Sequence, residues 1–78
     1  MIVDVKTQYI THGVSKNGFQ WIKVSDGLEA GMLKLSQDAH QNIEQLQPSK
    51  GDTLDCQVEI NLVTSRSEIL KVYGFSEA

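Results

Sequence analysis

The stretch from Thr53 to Val63 constrains the fold more than any other part of the chain, because its apolar and polar residues alternate without a break. The apolar residues at every second position are Leu54, Cys56, Val58, Ile60 and Leu62. Side chains of a β-strand point alternately to its two faces, so this pattern predicts a strand with one buried face. A slip of one residue would bury acids and amides, and we therefore expect this strand to determine the register of its sheet.

Four further strands and one helix are predicted around this strand. Three strands precede it, at 2–10, 19–24 and 32–35, and they are followed by a helix from Gln37 to Gln45 or Leu46 with Ser36 as its N-cap. After the strand 53–63 come a polar hairpin tip at 64–68 and the last strand at 69–75. The dipeptide Asn17-Gly18 between apolar residues predicts a hairpin with a type I′ turn, in which both residues have a positive φ.

A helix between the third and fourth of five short strands is typical of an OB-fold. We therefore predict a mainly β fold with one short helix, arranged as a small antiparallel OB-like barrel of about five strands. A flat meander of strands with the helix on one face is the alternative.

The chain of 78 residues has room for a single domain covering positions 1–78. A domain of this size buries only about 60% of its unfolded surface, so we expect it to gain stability as a homodimer or another homo-oligomer. One cysteine and two histidines cannot supply four ligands to a closed zinc site, and we predict no structural metal and no cofactor. Cys56 lies on the apolar side of its strand, which indicates a buried, unreactive thiol.

Membrane and duplex-DNA functions are disfavoured. No apolar run reaches the roughly 18 residues that a membrane span requires, and the first residues do not resemble a signal peptide. We expect a soluble, cytoplasmic protein. The net charge of −3 disfavours tight binding to duplex DNA through many phosphate contacts, although it leaves open binding to single strands by stacking.

Residue patterns typical of enzymes are weak in this chain. His12 and His40 fall in a predicted loop and in the predicted helix, and neither has a carboxylate or a nucleophile at an informative spacing. Asp52 and Asp55 flank a turn and a strand start, where we expect solvated acids. The glycines do not form a phosphate-binding loop. We predict that the protein is not an enzyme.

Aromatic and basic residues interleave on two predicted strands. If Ile22 and Val24 are buried, Phe19, Trp21 and Lys23 share the outward face of their strand. In the last strand Leu70 and Val72 take one face, and the other face carries Ile69, Lys71, Tyr73 and Phe75.

Stacking rings with interspersed cations are what a platform for single-stranded nucleic acid needs. The predicted site residues are Lys16, Phe19, Trp21, Lys23, Arg66, Lys71 and Tyr73. Two other interpretations stay open. The rings could complete a small core, or the aromatic face could pack against a second copy or a protein partner.

Two segments carry a resemblance to a known family. The hairpin from Val14 to Trp21 has a Ser-Lys-x-Gly turn followed by an aromatic strand, and the run from Pro48 to Asp52 leads into a long strand, a hairpin and a final strand that ends Val72-Tyr73-Gly74-Phe75. Both resemble the small helix-destabilising, single-stranded-DNA-binding proteins of filamentous phages. No counterpart in that family corresponds to positions 31–47.

The resemblance implies an OB-fold dimer that coats single strands. By its matching positions it assigns the nucleic-acid contacts to Lys16, Phe19, Trp21, Arg66 and Tyr73. The leading functional prediction is thus single-stranded nucleic-acid binding, and the alternative is a small protein-interaction module, such as an accessory protein of a phage or mobile element.

Overall fold

The computed structural model describes residues 1–77 and consists mainly of β-strands. Its elements are β1 (Ile2–Val14), β2 (Gln20–Ser25), β3 (Ala30–Leu35), α1 (Gln37–Leu46), β4 (Thr53–Asn61) and β5 (Arg66–Ser76). The helix lies between the third and fourth strands, as predicted. In the described residues, no helix has both the length and the apolar character needed to cross a membrane.

The five strands form one sheet that closes into a ring in the order β1, β2, β3, β5, β4. The first half of β1 pairs with β4 and the second half with β2, with a register shift between Tyr9 and Thr11 where the strand changes partner. The prediction of a mainly β, OB-like barrel with one helix is confirmed. One pairing differs from it, because β3 and β5 are parallel and are joined only at Lys34–Glu68 and Leu35–Ile69.

The inward face of β4 forms the centre of the core, as its alternation predicted. Leu54, Cys56 and Val58 are buried. The strand ends at Asn61, two residues earlier than predicted, because the Asn61 side-chain oxygen accepts hydrogen bonds from the backbone N–H groups of Val63 and Thr64 and turns the chain. Leu62 therefore lies in the β4–β5 loop with 73% of its surface exposed.

Strand β5 departs from the predicted alternation. Two register shifts relative to β4 leave Leu70 and Tyr73 without partners in the ladder. Each extra residue reverses which face the following side chains take. Ile69 and Val72 are consequently both buried, and Phe75 packs against the core. The prediction that Ile69 and Phe75 share an outward face with Lys71 and Tyr73 is wrong.

Helix α1 matches its prediction and lies against β5. The Ser36 hydroxyl accepts a hydrogen bond from the Ala39 N–H at 3.0 Å and donates one to the Leu70 carbonyl at 2.7 Å. The Asn42 side-chain oxygen accepts a hydrogen bond from the Val72 N–H at 3.1 Å. The polar side chains of the N-cap residue and of the helix thus supply hydrogen bonds to the backbone of β5 beyond the two residues that pair with β3.

Candidate functional site

The hairpin between β1 and β2 is present, but its turn differs from the predicted type I′. The Ser15 N–H donates to the Phe19 carbonyl at 2.8 Å, and the Gly18 N–H donates to the Ser15 carbonyl at 2.9 Å. Gly18 has a φ of +83°, whereas Asn17 does not have a positive φ. This is the pattern of a three-residue loop with glycine in the left-handed position. Lys16 is exposed at its tip.

A surface groove of about 760 Å³ lies between the end of this hairpin, β3 and the β4–β5 loop. Phe19 and Met32 contribute apolar surface to it and are 49% and 62% exposed. Arg66 and Lys34 contribute cations. In OB-folds, the face of strands 2 and 3 between these two loops is the place where oligonucleotides and oligosaccharides bind.

The charges in the groove balance one another. Lys34 pairs with Glu68 at 3.4 Å, and Glu59 also lines the groove. Two cations therefore face two carboxylates, and the groove is not a strongly positive channel. Its apolar surface comes from Phe19, Met32 and Leu33.

The outward side chains of β2 continue this surface. Trp21 lies opposite Lys34 of β3, and Lys23 lies opposite Met32. Residues directly opposite in an antiparallel pair share a face of the sheet. We call the surface formed by Phe19, Trp21, Lys23, Met32 and Lys34 the β2–β3 face.

Neither aromatic side chain of the β2–β3 face is buried. Trp21 is half-buried and lies across Gly13 of β1, where a Cβ would be only 2.8 Å from the indole Cζ2 atom. Ile22 and Val24, which follow Trp21 in β2, point into the core and are buried, as predicted. Phe19 and Trp21 therefore keep surface that a ligand could contact.

Two of the predicted site residues lie on another surface. Lys71 lines a shallow pocket with the α1 residues Asp38 and Gln41. Tyr73 is 57% exposed, and its hydroxyl donates to the Asp4 carboxylate at 3.5 Å. Lys16, Phe19, Trp21, Lys23 and Arg66 lie on or beside the β2–β3 face, whereas Lys71 and Tyr73 lie near β1 and α1.

A second cluster of functional groups was not predicted. His12 belongs to β1, which continues through the predicted loop, and its Nε2 atom lies 3.0 Å from Glu44 Oε1. His40 Nε2 lies 3.4 Å from the same oxygen, and the Tyr9 hydroxyl lies 2.6 Å from His12 Nδ1. A hydrogen bond from His12, together with charge interactions with both imidazoles, lowers the pKa of Glu44.

Asp52 and Asp55, which we expected to be solvated, have different environments, and Cys56 is buried. Asp52 is buried rather than solvated, and its carboxylate accepts the Ser49 N–H at 2.7 Å, because it closes the turn before β4. Asp55 lies 3.9 Å from Lys6 in a surface pair. Burial, with a smaller effect of the Asp55 charge, raises the pKa of the Cys56 thiol to about 12. The thiol is therefore protonated at neutral pH.

Comparison of the chain with protein-family models, with curated proteins and with solved structures gives no match. The β2–β3 face and the groove are therefore the features from which we infer a function.

Proposed function

We propose that the protein binds single-stranded nucleic acid along the β2–β3 face and its groove. The observation that carries the proposal is the pair of accessible rings, Phe19 and Trp21, next to cations on strands 2 and 3 of an OB-like ring. The cations of this region are Lys16, Lys23, Lys34 and Arg66.

Stacking supplies most of the affinity in this proposal. Each base stacked on an aromatic side chain contributes ~1–3 kcal/mol, and every base offers a ring face, so sequence preference is weak. Lys16, Lys23 and Arg66 neutralise phosphates. Lys34 contributes less, because Glu68 already pairs with it. Three phosphate contacts to a single strand correspond to a salt dependence of log K with a slope of about −2.

Lys71 and Tyr73 are outside the proposed contact surface, although the sequence predicted them as binding residues. They lie beside α1 and Asp4, and Tyr73 has an acid next to its hydroxyl. A nucleic-acid strand stacked on Phe19 and Trp21 does not need to contact Lys71 or Tyr73. Tyr73 is thus a matched control for Phe19, as an exposed aromatic residue on another surface.

The test uses the fluorescence of Trp21, the single tryptophan of the chain. We expect titration with oligothymidylate at low salt to quench this emission to saturation, with an affinity that falls as salt is added. Phe19→Ala should weaken binding roughly tenfold, the equivalent of 1.4 kcal/mol, because it removes one stacking ring. Tyr73→Ala should bind like the wild type.

Two results would contradict the proposal. One is the absence of quenching by oligothymidylate and by the equivalent RNA at low salt. The other is an equal loss of affinity in the Phe19→Ala and Tyr73→Ala variants, which would place the contact outside the β2–β3 face.

A protein partner, including a second copy of the chain, is the alternative function. Leu62 and Val63 in the β4–β5 loop are 73% and 95% exposed, next to the groove with its exposed Met32. Apolar side chains grouped in this way favour a protein contact. Sedimentation velocity of the wild type and of a Leu62→Ser/Val63→Ser variant over a range of concentrations tests the proposed homodimer; a wild type that stays monomeric throughout argues against it.

A further inference from the structure

The histidine cluster, which we define as His12, His40 and Glu44, brings together side chains that are far apart in sequence. His40 and Glu44 are four residues apart on α1 and therefore share a face of the helix. His12 comes from the end of β1. One ligating atom from each of the three side chains can be chosen such that all three lie within 4.8 Å of one another.

The spacing of these atoms suits a metal ion. Zinc binds imidazole nitrogen and carboxylate oxygen at about 2.0–2.2 Å, so two ligands at a tetrahedral angle lie about 3.3 Å apart. In the cluster, the Nε2 atoms of His12 and His40 lie 3.0 and 3.4 Å from Glu44 Oε1. An ion between the three atoms would require only small side-chain movements.

Tyr9 provides the support that a ligating imidazole requires. A histidine that binds metal through Nε2 carries its proton on Nδ1 and donates it to an oxygen acceptor nearby. The Tyr9 hydroxyl lies 2.6 Å from His12 Nδ1, and Tyr9 itself is only 8% exposed. The core therefore holds this acceptor in place and orients the His12 ring.

We propose that His12, His40 and Glu44 bind one divalent transition-metal ion, with Zn²⁺ as the expected occupant and water in the remaining coordination position. Two imidazoles and one carboxylate favour Zn²⁺, Cu²⁺ or Ni²⁺ over Mg²⁺ and Ca²⁺, which prefer sites made of oxygen ligands. None of these three residues lines the groove, so this site is independent of the proposed nucleic-acid contact.

The site joins the end of β1 to α1. The sequence patterns did not predict that His12 lies close to His40 and Glu44, because the position of His12 depends on how β1 pairs with its neighbouring strands. The sequence predicted no metal, because one cysteine and two histidines cannot supply the four ligands of a closed zinc site. The proposed site departs from that prediction by using three protein ligands, one of which is Glu44.

The experiment is a calorimetric titration of the untagged chain of 78 residues with Zn²⁺, repeated with Mg²⁺. We expect binding of one Zn²⁺ per chain and no comparable heat with Mg²⁺. Replacement of Zn²⁺ by Co²⁺ should produce the intense visible absorption of a tetrahedral ion. A wild-type protein that binds neither Zn²⁺ nor Co²⁺ would overturn the proposal.

Variants decide which atoms bind. His40→Ala and Glu44→Gln should each weaken Zn²⁺ binding by more than about 100-fold, because each removes a ligand. Asp38→Asn, which removes an exposed carboxylate from the same helix, is the matched control and should bind like the wild type. If Zn²⁺ binds with unchanged affinity to both ligand variants, the ion lies elsewhere and the assignment is wrong.

Tyr9→Phe tests the supporting hydrogen bond without removing a ligand. We expect a loss of about 10–100-fold in Zn²⁺ affinity. In the wild type, nitrogen NMR of the imidazoles should show Zn²⁺ shifting His12 to the form protonated at Nδ1. Unchanged affinity in Tyr9→Phe combined with an unchanged His12 tautomer would remove His12 from the ligand set and overturn the three-ligand site.

Discussion

Gly13 determines where the Trp21 ring can lie. The indole crosses the backbone of β1 at this residue, and a Cβ there would approach the Cζ2 atom to 2.8 Å. The backbone of Gly13 has no positive φ. The glycine is therefore required by the close approach of the ring and not by its own conformation, and this requirement could not be read from the sequence.

We predict that Gly13→Ala displaces Trp21. The added methyl group should shift the tryptophan emission, weaken oligonucleotide binding several-fold and lower the free energy of unfolding by about 1 kcal/mol. Gly31→Ala is the control, because a Cβ at Gly31 meets no atom within 4 Å and Gly31 also lacks a positive φ. Fluorescence and urea unfolding of the two variants measure the difference, and identical emission spectra would contradict this account of Trp21.

Cys56 should make the fold sensitive to alkali. Its pKa is raised from an ordinary value of 9.0 to about 12 in the folded chain, so the folded state keeps a proton that the unfolded state loses. The free energy of unfolding should therefore be unaffected by this thiol below pH 9 and fall as pH rises from 9 towards 12.

Comparison with Cys56→Ala isolates this effect from that of other groups that titrate in alkali. The variant should be less stable at neutral pH, because it leaves a small cavity, but its stability should fall less steeply in alkali. Urea unfolding between neutral pH and about pH 10 measures both slopes. Parallel slopes would show that the thiol does not cause the loss.

Strands β4 and β5 show what the sequence could and could not predict. The alternation in β4 was predicted correctly up to Ile60, because the polarity of a regular strand records which face is buried. Strand β5 was assigned to the wrong faces at Ile69 and Phe75. Its bulges arise from pairing with β4, and the local pattern contains no sign of them.

Asn42 makes one of the hydrogen bonds that join α1 to β5. We predict that Asn42→Ala lowers the free energy of unfolding by about 1–3 kcal/mol, because the Val72 N–H loses its acceptor in a part-buried position. Gln41→Ala, at the exposed neighbouring position, should change it by no more than about 0.5 kcal/mol. Thermal or urea unfolding decides between them, and equal effects would mean that this hydrogen bond contributes nothing.

The curvature of the closed sheet explains why the predicted site residues lie on two different surfaces. The sequence predicted one aromatic and basic face from two strands, and the structure separates Lys71 and Tyr73 from Phe19 and Trp21. Lys34 was missed, because its position beside Trp21 follows from the pairing of β2 with β3. The sequence signal for it was the placement of Met32 and Lys34 two residues apart in a strand, which puts them on one face, but this pattern was too short to interpret alone.

The net charge of −3 allows a test of where charge matters. Glu68→Gln and Glu29→Gln each remove one negative charge, but only Glu68 lines the groove. We predict that Glu68→Gln strengthens oligonucleotide binding several-fold by freeing Lys34, whereas Glu29→Gln changes it little. Stability should change by less than about 1 kcal/mol, since the Lys34 side chain of this pair is exposed to solvent. Equal strengthening in both variants would implicate net charge alone.

The short parallel junction between β3 and β5 has a dynamic consequence. Lys34 and Glu68 are one of its two paired positions, and the same two residues line the groove. Thermal opening of the ring at this short junction would separate the walls of the groove, and a ligand spanning them would hold the junction closed. Occupancy of the groove and the equilibrium population of the closed ring are thereby thermodynamically linked, and slowed amide exchange in β3 on ligand binding would report that linkage.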